Sequence, residues 1–211
     1  MSIFEKLFHT NKENSSDKED KNMKIAVICA NGKAGKLIVK EALDRKLDVT
    51  AVVRGENKAE ASQVITKDLF DLTAADLKGF DVVIDAFGAW TEDTRLLVVG
   101  GAGSLYVNAE HTAQVMDGPD FPDVFKPLAS NMGKALTELR QRKDVRWTYI
   151  SPAGDFQAEG ERTGSYLLGG EELTLNSRGE SIISYADYAI AMVDEAVKGN
   201  HDQQRISVVR A

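Results

Sequence analysis

The stretch Cys29-Ala30-Asn31-Gly32-Lys33-Ala34-Gly35 carries the chain from a short apolar run into a helical pattern. Glycines at such a turn let the backbone come close to a ligand. Free N–H groups at the start of the following helix then favour a negative group, above all a pyrophosphate. The spacing is that of three glycines separated by two residues each, with Cys29 in place of the first. If position 29 needs a positive φ, a residue with a Cβ costs about 1–2 kcal/mol there. Arg54 ends the next apolar run. An acidic residue there would accept hydrogen bonds from ribose hydroxyls, whereas an arginine pairs with a 2′-phosphate. The expected ligand is therefore a dinucleotide, NADP(H) in preference to NAD(H). Asp68, after a third short run, can meet the adenine, and Phe87-Gly88 lets the chain pass close to the same ligand.

Other reactive residues are sparse. Ser104 can orient a substrate by hydrogen bonding, but no histidine–acid partner near it in sequence would make it a nucleophile. A tyrosine with a lysine four residues on would relay a proton to an alcohol or ketone. Here Tyr106, Tyr149, Tyr166, Tyr185 and Tyr188 are followed at that offset by Glu110, Ala153, Gly170, Ala189 and Met192. An acceptor that needs positioning more than proton relay, such as a flavin or quinone, is favoured. His9, His111 and His201 are far apart and read as surface residues. The single cysteine has no partner for a disulfide, and no metal site is expected. Trp90 reads equally as a packing residue or a ligand-stacking one.

Alternating strands and helices must position these groups. Strands are expected at Lys24–Cys29, Asp48–Arg54, Gln63–Thr66, Asp81–Ala86, Arg95–Val99, Val145–Ile150 and Ile206–Val209. Helices are expected at Gly35–Lys46, Thr73–Lys78 (capped by Thr73, with Asp76 at capping-box spacing), Pro127–Arg140, and from Ser184 to about Gly199. Leu128, Met132, Ala135, Leu136 and Leu139 repeat at helical spacing along the third of these. Leu173–Leu175 and Ser181–Ser184, flanking Asn-Ser-Arg-Gly-Glu, read as a hairpin. The pattern implies a single α/β domain, Rossmann-type and doubly wound, with a mostly parallel sheet over 23–211 and a substrate region at about 151–184. Only Phe87 to Thr94 would join the fourth and fifth strands. A parallel crossover normally takes a dozen or more residues, usually with a helix.

The first 22 residues differ from the rest. Ile3, Phe4, Leu7 and Phe8 could share one face of a short helix, and Asn11 to Asn22 is almost wholly polar. The segment reads as a disordered extension. With a net charge of -7, the chain is not expected to bind nucleic acid. It has no run of the roughly 20 apolar residues needed to span a bilayer, so no membrane association is expected. A lone cysteine and no signal sequence suit a cytoplasmic protein.

Lys24-Ile-Ala-Val-Ile, the Gly32/Gly35 turn, Ala86-Phe-Gly88 and Leu96-Leu-Val-Val-Gly-Gly-Ala-Gly-Ser104 resemble the NADH-flavin reductases. These are atypical short-chain dehydrogenases, close to NmrA-like proteins and to the flavin-reductase type of biliverdin reductase. Ser151-Pro-Ala, Gly160-Glu-Arg-Thr-Gly-Ser-Tyr166 and Ile182-Ile-Ser-Tyr-Ala-Asp-Tyr188 extend the likeness over nearly everything from Met23 onward. The resemblance implies an NAD(P)H-dependent reductase passing hydride to flavin or a similar planar acceptor. The alternative it implies is a non-catalytic redox sensor of the NmrA-like kind. By matched position, Ala30, Asn31, Gly32, Lys33 and Ala34 would contact pyrophosphate, and Arg54 the adenosine phosphate. Asp68 and Leu69 would lie near adenine, and Phe87 and Gly88 near ribose. Ser104, Ser151, Pro152 and Ala153 would surround the nicotinamide, with Arg162 and Tyr166 at the mouth of the substrate pocket. Family members carry a helix between the fourth and fifth strands. Its loss would expose part of the sheet or be covered by a homodimer.

Overall fold

A computed structural model describes residues 23–68, 71–84, 95–143 and 145–211. Leu69, Phe87, Gly88, Trp90, His9, the extension 1–22 and the end of the expected fourth strand lie outside the described residues.

The short apolar runs become strands of a largely parallel sheet, buried on both faces except at the exposed edge strand Gln63–Thr66. They are β1 (Lys24–Ile28), β2 (Asp48–Val53), β3 (Gln63–Thr66), β4 (Val82–Ile84), β5 (Arg95–Val99) and β6 (Arg146–Ser151). Two short strands follow, β7 (Asp155–Gln157) and β8 (Tyr166–Gly169), then β9 (Ile182–Ser184) and β10 (Gln204–Arg210). The helices are α1 (Lys33–Asp44), α2 (Lys126–Gln141) and α3 (Tyr185–Lys198). The main sheet runs β3-β2-β1-β4-β5-β6-β10-β8. All its pairings are parallel except β10 with β8. The order reverses at β1, which pairs with β2 on one side and β4 on the other. The crevice beyond the carboxyl ends of strands at such a reversal is where this architecture takes ligands.

One face of the sheet carries a continuous core. Ile38, Val39 and Ala42 of α1 and Tyr188, Met192 and Val193 of α3 pack on Val27, Val49, Val82, Leu97, Ile150 and Val208. The opposite face holds two separate clusters. Leu136 of α2 covers Leu96, Val98, Trp147 and Tyr149. Leu77 covers Ala26, Ile28, Val52 and Val83. Helix α3 begins where expected, with Ser184 Oγ accepting from the Asp187 N–H at 3.0 Å, and Gly199 ends it at φ +61°.

Several expectations are corrected. Thr73–Lys78 forms turns rather than a helix. Thr73 N–H and hydroxyl do donate to Asp76, but that carboxylate also holds Lys67 at 2.6 Å. The Lys67 and Thr73 hydrogen bonds draw the Asp76 carboxyl down to about 2. Gly79, at φ +93°, then turns the chain away. Ser181–Ser184 forms no hairpin with Leu173–Leu175. β9 instead pairs in parallel with β7, because Ile183 is drawn into the core beside α3. The intervening turn closes on itself through Asn176 and Glu180. His201 is not a plain surface residue, since its Nδ1 lies 2.7 Å from the buried Glu195 carboxylate. Finally, α2 does not bury its whole apolar row, because Leu128 is 60% exposed and Ala135 also faces solvent.

Candidate functional site

The turn after β1 is shaped by three residues. Cys29 sits at φ +56°, the left-handed conformation in question at that position. Its carbonyl accepts from the Gly32 N–H at 2.9 Å. Gly32 caps α1 without a side chain, leaving the helix's first N–H groups directed outward. Gly35 is required by close approach: a Cβ there would stand 2.5 Å from Cys29 O and 3.0 Å from Ala30 Cα. Asn31 anchors the turn to the loop after β2. Its Nδ2 donates to Glu56 O at 2.9 Å, and its Oδ1 accepts from Lys58 N at 2.7 Å.

A cleft opens on both sides of this turn. One lobe, of about 610 Å³, is lined by Asn31, Gly32, Arg54, Lys58, Lys67 and Asp68 among others. Arg54 is exposed and forms no hydrogen bond or ion pair with other described residues. The other lobe, of about 490 Å³, is mostly apolar, with Ile38, Ile84, Val99, Met132 and Tyr185 in its wall and Lys33 and Ala34 at the turn. Ile28, Cys29 and Gly32 belong to both. A lobe lined by charged side chains and an apolar lobe thus flank a helix N-terminus, at the place where this architecture takes its ligands.

The structure thus brings together Asn31, Gly32, Lys33, Ala34, Arg54 and Asp68. Ala30 lies buried beneath the turn, its N–H directed to Val52 O at 3.4 Å. Other expected residues do not reach the cleft wall. Ser104 is buried, and its hydroxyl and carbonyl accept from the Arg205 guanidinium at 2.9 and 3.0 Å. Ser151, Pro152 and Ala153 are buried at the end of β6, with Ser151 Oγ donating to Gly101 O at 3.0 Å. Arg162 pairs with Glu41 at 2.7 Å. The Tyr166 hydroxyl donates to Asp194 Oδ2 at 2.8 Å, and burial together with that carboxylate pushes the phenol's pKa up. Arg162 and Tyr166 therefore tie the 160–166 stretch to α1 and α3. The buried Asp187 carboxylate helps, accepting from Thr163 N–H and hydroxyl and from Gly164 N–H. The glycine run ending at Ser104 is also a packing feature: a Cβ on Gly100 would strike the Tyr149 ring, and one on Gly103 would sit 2.7 Å from Ala129 Cβ.

Tyr185 and Met132 were not foreseen as cleft residues. Tyr185 is the first residue of α3, and its ring lies 4.0 Å from that of Phe156. Its signal was present in the Ile182–Tyr188 stretch, one residue after a helix cap. Met132 gave none, since its spacing reads as core.

The arrangement defines an NAD(P)-binding protein of Rossmann type. A family described as NAD(P)H-binding matches residues 29–196, and the chain belongs to it. The uncharacterised Bacillus subtilis protein YwnB is 45% identical over 209 residues, a match taking in 89% of this chain and 98% of that one. Among solved structures, a candidate NADH-flavin reductase from Streptococcus pneumoniae is 51% identical, with a TM-score of 0.84 over 90% of this chain and 100% of that one. A candidate epimerase from Bacteroides thetaiotaomicron is 33% identical, with a TM-score of 0.78 over 89% and 97%. Among the described residues, no helix is long and apolar enough to cross a membrane.

Proposed function

We propose that this chain is an NAD(P)H-dependent oxidoreductase that prefers NADPH and reduces a flavin or similar planar acceptor. The apolar lobe beside the turn carries the acceptor half of this reading. Its wall offers Tyr185, backed by Phe156, as an aromatic surface for a flat ring. It offers no tyrosine–lysine relay, since Ala189 stands four residues after Tyr185. The bound nicotinamide would supply hydride. The chain's own part is to hold the pyrophosphate at Gly32–Ala34, hold the 2′-phosphate at Arg54 and keep water from the apolar lobe. The likeness to the S. pneumoniae protein supports the same reading.

The short link between β4 and β5 favours a second reading, a sensor that binds the dinucleotide without turning it over. Steady-state oxidation of NADPH in the presence of FMN, FAD or a quinone separates the two. Turnover with at least one acceptor is expected, while tight NADPH binding with no turnover on any of them would leave only the sensor.

A further inference from the structure

The first turn of α1 is strongly positive. It carries Lys33 and Lys36 and no acid. The helix dipole adds to them, because uncapped N–H groups at a helix start favour negative charge nearby. One acid reaches this turn from far along the chain. Lys33 Nζ meets the Glu159 carboxylate at 3.0 Å, across 126 positions of sequence.

Glu159 stands there because the backbone around it is fixed. β7 ends at Gln157, and the chain turns at once, with Gly160 N–H donating to Gln157 O at 3.3 Å. A Cβ on Gly160 would sit 2.9 Å from the Cβ atoms of Gln157 and Ser184, so this turn is pressed against the cap of α3. Just beyond it, the buried Asp187 carboxylate accepts from the Thr163 and Gly164 N–H groups. The Lys33–Glu159 contact itself is different. Its two side chains are 68% and 86% exposed. A fixed loop thus presents an acid to the helix start through a contact that water reaches freely. Exposed ion pairs are weak, so the Lys33 ammonium can change partners at little cost.

If a pyrophosphate docks at Gly32–Ala34, as the proposed function has it, Lys33 is the cation within that turn. In the free protein its charge is already engaged by Glu159. We propose that Glu159 is a built-in competitor for the dinucleotide's pyrophosphate, a role that rests on that docking. The Glu159 carboxylate holds Lys33 until phosphate oxygens take its place, and recaptures Lys33 as the dinucleotide leaves. Glu159 therefore lowers cofactor affinity and hastens release. Release of a bound product sets the turnover of many enzymes, so a residue that loosens the spent cofactor serves a reductase. The competition falls on the phosphates that NADPH and NADH share. It is thus separate from the selection between them at Arg54.

The test is a double-mutant cycle with Glu159→Gln, Lys33→Met and their combination. Kd for NADPH and for NADH is read by fluorescence titration, and the dissociation rate by stopped flow. Both side chains are exposed enough that Tm should move by less than about 1 °C. Glu159→Gln should tighten both cofactors by about threefold, chiefly through slower dissociation. In the Lys33→Met background the same substitution should leave Kd where it was. Unchanged or weaker binding in Glu159→Gln would overturn the proposal. So would equal tightening with Lys33 removed, since Glu159 would then act by general repulsion rather than by holding Lys33. If Gly35→Ala left cofactor affinity undiminished, the docking of the pyrophosphate at this turn would fail, and the competitor with it. If Gly35→Ala weakened binding while Glu159→Gln did nothing, the docking would stand and the competitor alone would fall.

Discussion

The two ends of the parallel sheet treat charge in opposite ways. At the amino ends of β5, β6 and β10, charged groups pair with one another, from the buried Arg95 and Glu195 out to the more exposed Arg146 and Asp202. Arg95 donates to Glu195 O at 2.6 Å and to Ala196 O at 3.2 Å, and lies 3.5 Å from the Glu195 carboxylate. Glu195 in turn accepts from His201 N–H at 3.0 Å and meets the His201 ring at 2.7 Å. Asp202 pairs with Arg146 at 2.7 Å. At the carboxyl ends, the cleft holds an exposed arginine without a partner among the described residues and a helix start without a side-chain cap. Polar groups satisfied within the fold hold elements together. Polar groups aimed at open space around a helix N-terminus are ready for an anion.

The largest effect that sharpens this contrast is on stability. Glu195→Ala leaves Arg95 and His201 beside a buried void, and removing one partner of a buried pair costs about 3–5 kcal/mol. For a chain of this size Tm should fall by about 10 °C, with the Kd of the folded protein for NADPH unaltered. A fall of less than about 2 °C would make the amino-end cluster no more than a surface ion pair.

The same contrast explains what could be read from the sequence. The Cys29–Gly35 turn was legible because it combines a buried strand, a glycine spacing and a helix start, all of them local. Arg54 was legible by its place after β2. The strands at Gln63–Thr66 and Arg95–Val99 fall where their β-branched and apolar runs put them. Ser104, Arg162 and Tyr166 were assigned to the substrate, yet each is engaged by a distant residue: Arg205, Glu41 and Asp194. Such partners are set by how strands and helices stack, which periodicity does not encode. For the same reason the parallel pairing of β7 with β9 was read as a hairpin, since local turn chemistry at Asn176–Glu180 was real but the strand partner was not local.

Gly35→Ala tests the carboxyl end directly. Its Cβ would meet backbone rather than a movable side chain, so the turn itself must shift. Overpacking of this kind costs about 1–3 kcal/mol. It should appear as a loss of roughly ten- to a hundredfold in affinity for both NADPH and NADH, read by fluorescence titration. Undiminished affinity would place the pyrophosphate elsewhere.

Arg54→Ala should act on one cofactor only. A charge-assisted hydrogen bond to phosphate contributes about 1.5–3 kcal/mol, so NADPH affinity should fall more than tenfold while NADH affinity holds. Equal losses for the two would refute the 2′-phosphate contact.

The smallest expected effect compares two residues with the same strained backbone at opposite ends of α1. Cys29 precedes the helix at φ +56°, and Lys46 follows it at φ +63°. Glycine at either position removes about 1–2 kcal/mol of left-handed strain and returns part of it through a freer unfolded chain, about 0.5–1 kcal/mol. Each substitution should therefore raise Tm by only about 3 °C. They part company in binding. Cys29 lines both lobes of the cleft, so on the proposed binding mode Cys29→Gly clears a side chain from the turn and should tighten NADPH binding. Lys46 lies at the amino end of the sheet, where its N–H caps the last turn by donating to Leu43 O at 2.8 Å. Lys46→Gly should leave NADPH affinity where it was. If Lys46→Gly tightened binding as much as Cys29→Gly, strain in α1 as a whole would set affinity, and the division between a structural end and a binding end would fail.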